Sequence, residues 1–337
     1  MAKKILFICK RNEVYSVFQY LQRCSGLYNS TRFIVESLVA QGVDAAIIEV
    51  NDNNDIDREV TKYKPDIVVI EALWVVPSKF TVLQKLHPSV YWCVHLHSKI
   101  PFLALESMAI AWLSGYSDLD IKIIVNSEET LDALEVFIPS RNLVYLSNVY
   151  IEPLATPKTL KPEDSVNIGC FGAIRPMKNQ LLQAIAAIKF ANDKQVKLNF
   201  YINGPRVETG GEPVLKNLKA LFATIPSAKL VIKPWLSPED FLKLLRSTID
   251  LGMQVSLTET WNIISCDYVA SGLPVVVSKE IPWVDPLCVA ADSVDDIVNA
   301  MNKAWDLRIL ISLNQFNLEK RSTEAQRQWY DFVIWLP

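Results

Sequence analysis

Short apolar runs alternate with longer stretches of helical period along the whole chain. In the first half, such runs predict strands over Lys4–Cys9, Asp44–Val50, Asp66–Ile70, Val90–Leu96, Lys122–Val125 and Leu143–Leu146. Between them the spacing predicts helices over Ser30–Gln41, Asp55–Lys62, Pro77–Leu86, Phe102–Leu113 and Glu128–Phe137. Nearly continuous apolar strands separated by helices mean a parallel, doubly wound sheet with both faces covered. Ligands of such a sheet lie beyond the carboxyl ends of its strands.

A polar stretch then interrupts the pattern: Glu152, Pro153, Pro157, Lys158, Lys161, Pro162, Glu163 and Asp164. Its proline and charge density mark a linker or hinge. The alternation restarts after it. Strands are expected over Asn167–Phe171, Lys197–Ile202, Lys229–Ile232, Gly252–Val255 and Pro274–Val277. Helices are expected over Gln180–Ala191, Pro213–Phe222, Pro238–Arg246, Ile263–Ser271 and Val294–Leu307, and Gln315–Trp335 also reads as helical. The pattern predicts an α/β protein of two Rossmann-like, doubly wound parallel-sheet domains. The boundaries expected are 1–155 and 156–315, with 316–337 as a helix crossing back to the first domain.

The chain's 337 residues suit two cores better than one. The net charge of −3 argues against a protein that lives on bare phosphate backbones, and leaves room only for a local basic cleft. Lys10, Arg11, Arg23 and Arg32 are the candidates for one. The six cysteines form no C-x-x-C pair and mostly sit in apolar runs, so they read as buried free thiols. The N-terminus enters a strand at once and has no signal-peptide shape. The longest apolar tracts, Ile67–Val76 and Ile100–Leu113, each hold a glutamate and are too short to span a bilayer. A cytoplasmic protein without stable membrane association is expected.

The stretch Asn167-Ile168-Gly169-Cys170-Phe171-Gly172-Ala173-Ile174-Arg175-Pro176-Met177-Lys178-Asn179 resembles the opening of the donor domain of GT-B glycosyltransferases of family 4. Glu259 and Asp267, with seven residues between them and Gly272-Leu273-Pro274-Val275-Val276 behind, resemble that family's pair of spaced acids. Lys122–Ser127 followed by Glu128–Leu134 is similar to its strand that ends in serine before a helix. Leu146-Ser147-Asn148-Val149 is similar to its Pro-Asn-Gly-Val segment. Together these pieces cover nearly the whole chain in order. In detail, Tyr201–Glu208 and Thr258–Asp267 resemble glycosyltransferase-like proteins of tailed bacteriophages.

The resemblance implies a GT-B fold, with the first domain on the acceptor side and the second holding a nucleotide-sugar donor, a UDP-sugar being the first expectation. It implies transfer of the sugar to a hydroxyl with retention of configuration and without a metal. Hydroxymethylated bases of phage DNA are one acceptor class. A glycan, lipid or small molecule is another, and a non-catalytic sugar-nucleotide binding module is the third reading.

Arg175 and Lys178 lie in a loop after a strand that ends in glycine. Fixed cations there suit the charge that grows on a departing diphosphate, although an isolated Arg-x-x-Lys is by default a pair of solvated loop cations. The family places its arginine directly after the glycine, where this chain has Ala173. By the resemblance, Glu259 holds sugar hydroxyls and Asp267 the ribose hydroxyls, each carboxylate accepting two hydrogens. Asp267 has Cys266, Tyr268, Val269 and Ala270 around it, which predicts a buried acid that needs a partner. The family has glutamate there. Thr260, Trp261 and Asn262 replace a glycine-rich step. Their backbone amides can still meet the diphosphate where the helix begins, and Trp261 either narrows the sugar pocket, stacks on the acceptor, or is core.

His95 and His97 end an apolar strand and face the same way. The resemblance implies a histidine here near the donor sugar and the acceptor, and His97, at the carboxyl end, is the candidate for it. His95 reads as a hydrogen-bonded core residue. A metal is not expected, since no third ligand stands nearby in the sequence. Gly26, in Gly26–Ser30 before the first helix, either approaches a ligand with its backbone or forms a plain turn, with Asn29 or Ser30 as cap. Lys10–Ser25 before it reads as an insertion on the acceptor side. By the resemblance, Gly172 ends the first strand of the second domain and belongs to the nucleotide-sugar site. Asn203 and Gly204 either meet the nucleotide or make a simple turn. Trp235 either stacks on the nucleobase or is structural.

Overall fold

The computed structural model describes residues 3–11, 26–106, 108–159 and 164–336. Cys24, Arg23 and most of Lys10–Ser25 lie outside the described residues, as do Lys161, Pro162 and Glu163. The chain divides into two compact units, Met1–Ile151 with Arg321–Pro337, and Glu152–Lys320. Among the described residues each unit holds a six-stranded sheet.

The first unit runs β1 Lys4–Lys10, α1 Gly26–Ala40, β2 Asp44–Val50, α2 Asp55–Tyr63, β3 Ile67–Glu71, α3 Pro77–Leu86, β4 Tyr91–Leu96, α4 Ile100–Leu103, α5 Ala109–Asp118, β5 Lys122–Val125, α6 Glu128–Leu134 and β6 Leu143–Tyr145. Its strands lie in the order β2-β1-β3-β4-β5-β6, and every adjacent pair is parallel. The inner strands β1, β3 and β4 are buried along nearly their whole length and mostly apolar: Leu6 and Ile8, Val68 and Ile70, and Val94 and Leu96 belong to one core cluster. The chain leaves β1 for β2 on one side and returns to β3 on the other. The topological switch point is therefore between β1 and β3.

The second unit runs β7 Ser165–Gly169, α7 Gln180–Asp193, β8 Lys197–Asn203, α8 Gly211–Ala223, β9 Ala228–Lys233, α9 Pro238–Thr248, β10 Leu251–Gln254, α10 Ile263–Ala270, β11 Val275–Ser278, β12 Val289–Ala290 and α11 Val294–Asp306. Its order is β12-β11-β10-β7-β8-β9, again parallel, with the switch point between β7 and β10. A final helix, α12, covers Ile309–Trp335. Its last part packs in the first unit. Trp329 is buried there, donates its indole N–H to the Ser147 carbonyl at 2.9 Å and meets Phe7 at 5.6 Å between ring centroids.

Two local expectations are corrected, and one strand was not foreseen. Helix α1 already includes Gly26, so Asn29 and Ser30 are helical residues and not caps. The single helix expected over Phe102–Leu113 is two. Pro101 sits in the first turn of α4, and turn bonds from the Leu105 and Glu106 amides to Phe102 and Leu103 close it early. The two-residue β12 is too short for a periodic signal.

Candidate active site

In the second unit, the loops after β7 and β10 flank the switch point, and they carry the candidate residues of the donor side. The β7 loop turns at Gly172, whose φ of +115° is open to glycine at no steric cost. The Gly172 amide donates to the Asn203 side chain at 2.9 Å, which ties this loop to the end of β8. Arg175 precedes a single 3₁₀ turn over Pro176–Lys178, and Asn179 then adopts a left-handed conformation before α7. Asparagine tolerates that region better than most residues.

The two loops are stitched together by amide side chains. Gln183 donates to the Lys178 carbonyl at 2.7 Å and accepts from the Val255 amide at 2.9 Å. Asn179 donates to the Val255 carbonyl at 3.2 Å, and the Leu257 amide donates to the Met177 carbonyl at 2.9 Å. Gln254 donates to the Phe171 carbonyl at 2.8 Å and accepts from Asn262 at 2.9 Å. Held by this network, Lys178 forms a salt bridge with Glu259. Burial alone would push the Glu259 carboxyl up, but the Lys178 charge and hydrogen bond and the nearby Arg175 reverse this and hold it below its ordinary value. It is a fixed anion at neutral pH.

Arg175 pairs with Glu208 at 3.2 Å. Arg206 binds the same carboxylate at 2.6 Å, and its guanidinium lies 4.9 Å from the centre of the Trp235 ring. Glu208 thus joins the loops after β7 and β8 to the β9 loop that bears Trp235. Cys170, next to these loops, is no nucleophile at neutral pH: burial pushes its thiol to about 12, against a smaller lowering by Lys178.

The remaining candidates fall as follows. Asn262 is left-handed and caps α10, accepting from the Ser265 amide at 3.0 Å. Thr260 is half-buried in the loop between Glu259 and Trp261. Trp261 is only 4% exposed and packs against Trp283 at 6.2 Å, which is a core position. Asp267 lies in α10 as expected, but it is half-buried and not enclosed. The side chains that make its neighbours apolar point to the other faces of the helix. Asn203 is buried and occupied by Gly172. A side chain at Gly204 would strike Ile232, so packing explains that glycine.

In the first unit, the carboxyl ends of β3 and β4 bring together Glu71, His95 and His97. Parallel pairing sets Glu71 opposite His95. His95 Nδ1 lies 3.2 Å and His97 Nε2 2.5 Å from the Glu71 carboxylate. His97 is partly exposed, while His95 and Glu71 are fully enclosed. Burial would raise the Glu71 carboxyl, but the charges and hydrogen bonds of His95 and His97 hold it down to about 2. Burial and the neighbouring His97 lower His95, against a smaller opposing pull from Glu71. Asn126 lies 3.4 Å from His97 Nδ1 and donates to Asn148 at 3.3 Å, so both polar strand-end segments meet here.

This corrects the expectation that no third metal ligand is near the histidines: ligand atoms of Glu71, His95 and His97 all lie within 4.8 Å of one another. The signal was present. A lone glutamate ending a wholly apolar strand demands partners, and the only candidates nearby were the histidines of the next strand. Glu208 and the glutamines were missed because their partners are backbone atoms and loops remote in sequence. Of the proposed basic cluster, Arg32 is matched by Glu36 at 2.9 Å and stacked on Phe33.

No protein-family model matches the sequence, and no curated protein does. Solved structures do match. A trehalose-6-phosphate synthase, OtsA, superposes with a TM-score of 0.75 at 12% identity, covering 99% of both chains. HepE of Anabaena, solved in complex with UDP-glucose, gives 0.68 at 13% identity, covering 99% of this chain and 100% of that one. A sucrose-phosphate synthase of Thermosynechococcus elongatus gives 0.65 at 12% identity over 96% and 95%. The chain has the fold of these proteins, the two-domain α/β GT-B fold. No described helix is long and apolar enough to cross a membrane.

Proposed function

We propose that the protein is a retaining glycosyltransferase that uses a nucleotide-sugar, with a UDP-sugar as donor. The observation that carries this reading is the arrangement at the switch point of the second sheet. There, one loop offers Arg175 and Lys178, the facing loop offers Glu259, and amide side chains lock both in place before any ligand arrives. Preorganised cations stabilise charge that develops in the transition state without reorganisation at the moment of reaction. Two neighbours of the same fold support the donor class: one was solved with UDP-glucose and one trehalose-6-phosphate synthase with UDP-2-fluoro glucose. A study of another concerns glycosyl transfer with retention.

In this reading, the bond between the sugar's anomeric carbon and the diphosphate oxygen breaks. The acceptor hydroxyl oxygen bonds to that carbon on the same face, and its proton passes to the departing phosphate oxygen. Arg175 and Lys178 face the diphosphate. Glu259 accepts hydrogens from sugar hydroxyls and exchanges part of its contact with Lys178 for them. Asp267 takes the ribose hydroxyls, and Trp235 takes the base on the ring face away from Arg206. His97 is the acceptor-side candidate of the first unit. The acceptor is a hydroxyl compound. Hydroxymethylated DNA, suggested by the likeness to phage proteins, is the less favoured acceptor, because Arg32 of the basic cluster that would serve it already pairs with Glu36 at 2.9 Å.

Thermal unfolding against UDP, GDP, ADP, dTDP and their sugars tests the reading. A ligand at about a hundred times its dissociation constant adds about 2.7 kcal/mol. A shift of several degrees with one nucleotide family, lost in Lys178→Ala, is expected. No shift with any of them overturns the donor site.

A further inference from the structure

We propose that Glu71, His95 and His97 form a binding site for a divalent transition cation, with Zn²⁺ as its representative. The site belongs wholly to the first unit and does not depend on the glycosyl-transfer reading.

The donor set selects the class of ion. Two imidazoles and one carboxylate suit zinc and its neighbours, whereas calcium and magnesium take oxygen ligands. Three protein ligands leave a fourth position for water or a bound oxygen. The distances are close to what is needed. Around a tetrahedral ion with bonds of about 2.0–2.1 Å, ligand atoms stand about 3.3 Å apart. Glu71 and His95 already stand at 3.2 Å, and the 2.5 Å contact of His97 opens by a small turn of a ring that is partly exposed.

The scaffold holds these groups without the ion. The β3–β4 register fixes Glu71 opposite His95. The His95 ring rests edge-on against Trp329 at 5.4 Å, and Trp329 is itself anchored on Ser147. The three residues lie beside the β1–β3 switch point, where doubly wound sheets bind ligands.

A second observation comes from the next layer out. Asn126 Oδ1 is buried and has no hydrogen-bond partner, although its amide nitrogen lies 3.4 Å from His97 Nδ1. A cation on His97 Nε2 puts the imidazole proton on Nδ1. Turning over the Asn126 and Asn148 amides, whose oxygen and nitrogen are interchangeable in shape, then gives that proton an acceptor in Asn126 Oδ1. Metal-bound histidines characteristically donate their other N–H in this way.

The test uses the untagged full chain, stripped with a chelator and titrated with Zn²⁺ alone by calorimetry. Co²⁺ is then followed by visible absorption. One equivalent of zinc is expected, and cobalt should show the intense visible bands of a four-coordinate site with no thiolate charge-transfer band. Loss of an outer partner costs about 10–100-fold in metal affinity, so Asn126→Ala should weaken zinc by about that range. His97→Ala, at a partly exposed position that the fold tolerates, should weaken it by at least about 100-fold, and Glu71→Gln should do the same. Substoichiometric binding, equal affinity in His97→Ala, or a thiolate band would each overturn the site and leave Glu71, His95 and His97 as a hydrogen-bonded cluster only.

Discussion

Lys178 reaches from the loop after β7 to pair with Glu259 in the loop after β10, and the two side chains are only 12% and 8% exposed. Such a pair is costly to break on one side. Removing one partner of a buried ion pair leaves the other uncompensated and typically costs about 3–5 kcal/mol. Lys178→Met and Glu259→Leu should therefore each lower the denaturation midpoint. The Lys178→Met/Glu259→Leu double variant should regain much of the loss, a coupling that a double-mutant cycle reads directly. Turnover should separate from stability. Loss of one preorganised group costs about 10²–10³ in rate, and the double variant should stay inactive although its stability recovers. A double variant that transfers sugar at the native rate would remove both residues from the chemistry.

Glu259 also makes stability depend on pH. Its folded carboxyl is held below the ordinary 4.5. A depressed acid contributes stability that is fully present above that ordinary value and is lost as the pH falls through the folded one. Urea denaturation of the native protein and Glu259→Gln should show a constant stability gap from about pH 8 to about pH 6. The gap should close progressively below the ordinary carboxyl value. A gap that widened in acid would reverse the assignment.

Trp235 and Trp261 should respond differently to truncation. Trp261 is buried against Trp283, and Trp→Ala in a core costs about 3–5 kcal/mol. Trp235 is half-buried with a guanidinium over its ring. Trp235→Ala should cost little stability but weaken nucleotide binding about tenfold, equivalent to about 1.4 kcal/mol. Calorimetric melting and isothermal titration separate the two.

Gly204 admits no side chain, because a Cβ there would lie 2.0 Å from Ile232 Cγ2. The Ile232 methyl sits on a branched carbon and cannot swing away freely. Gly204→Ala should destabilise by about 1–3 kcal/mol. Ile232→Ala in the same chain should restore most of it, since Ile232 is 42% exposed and little packing is lost. Gly172→Ala should resist such rescue, because nothing crowds its Cβ and the cost lies in a φ of +115°.

The sheet-and-helix alternation was legible because parallel strands buried on both faces leave unbroken apolar runs, as in Ile67–Ile70 and Val275–Val277. The loops with Arg175, Lys178 and Glu259 were legible as motifs, but their pairing was not. Nothing in the spacing says that Lys178 closes on Glu259, or that Gln183 and Gln254 hold the loops. Asp267 was misjudged because a helix apolar in composition still has one open face. Glu71 was passed over because it was weighed only as a charge that interrupts a hydrophobic tract. Its meaning depends on which strand lies beside β3, and that is a property of topology.

That topology also fixes when the Lys178–Glu259 pair comes into being. Lys178 and Glu259 are 81 residues apart in the chain, and β10 is made only after β8 and β9, which pair on the other edge of β7. Contacts of such long range are paid for in loop-closure entropy before they reward the chain. A chain emerging from the ribosome thus carries the cationic loop through the 81 residues, about half of the second unit, that separate it from its anion. Until Glu259 is made, Lys178 lacks the carboxylate that it pairs with in the folded unit.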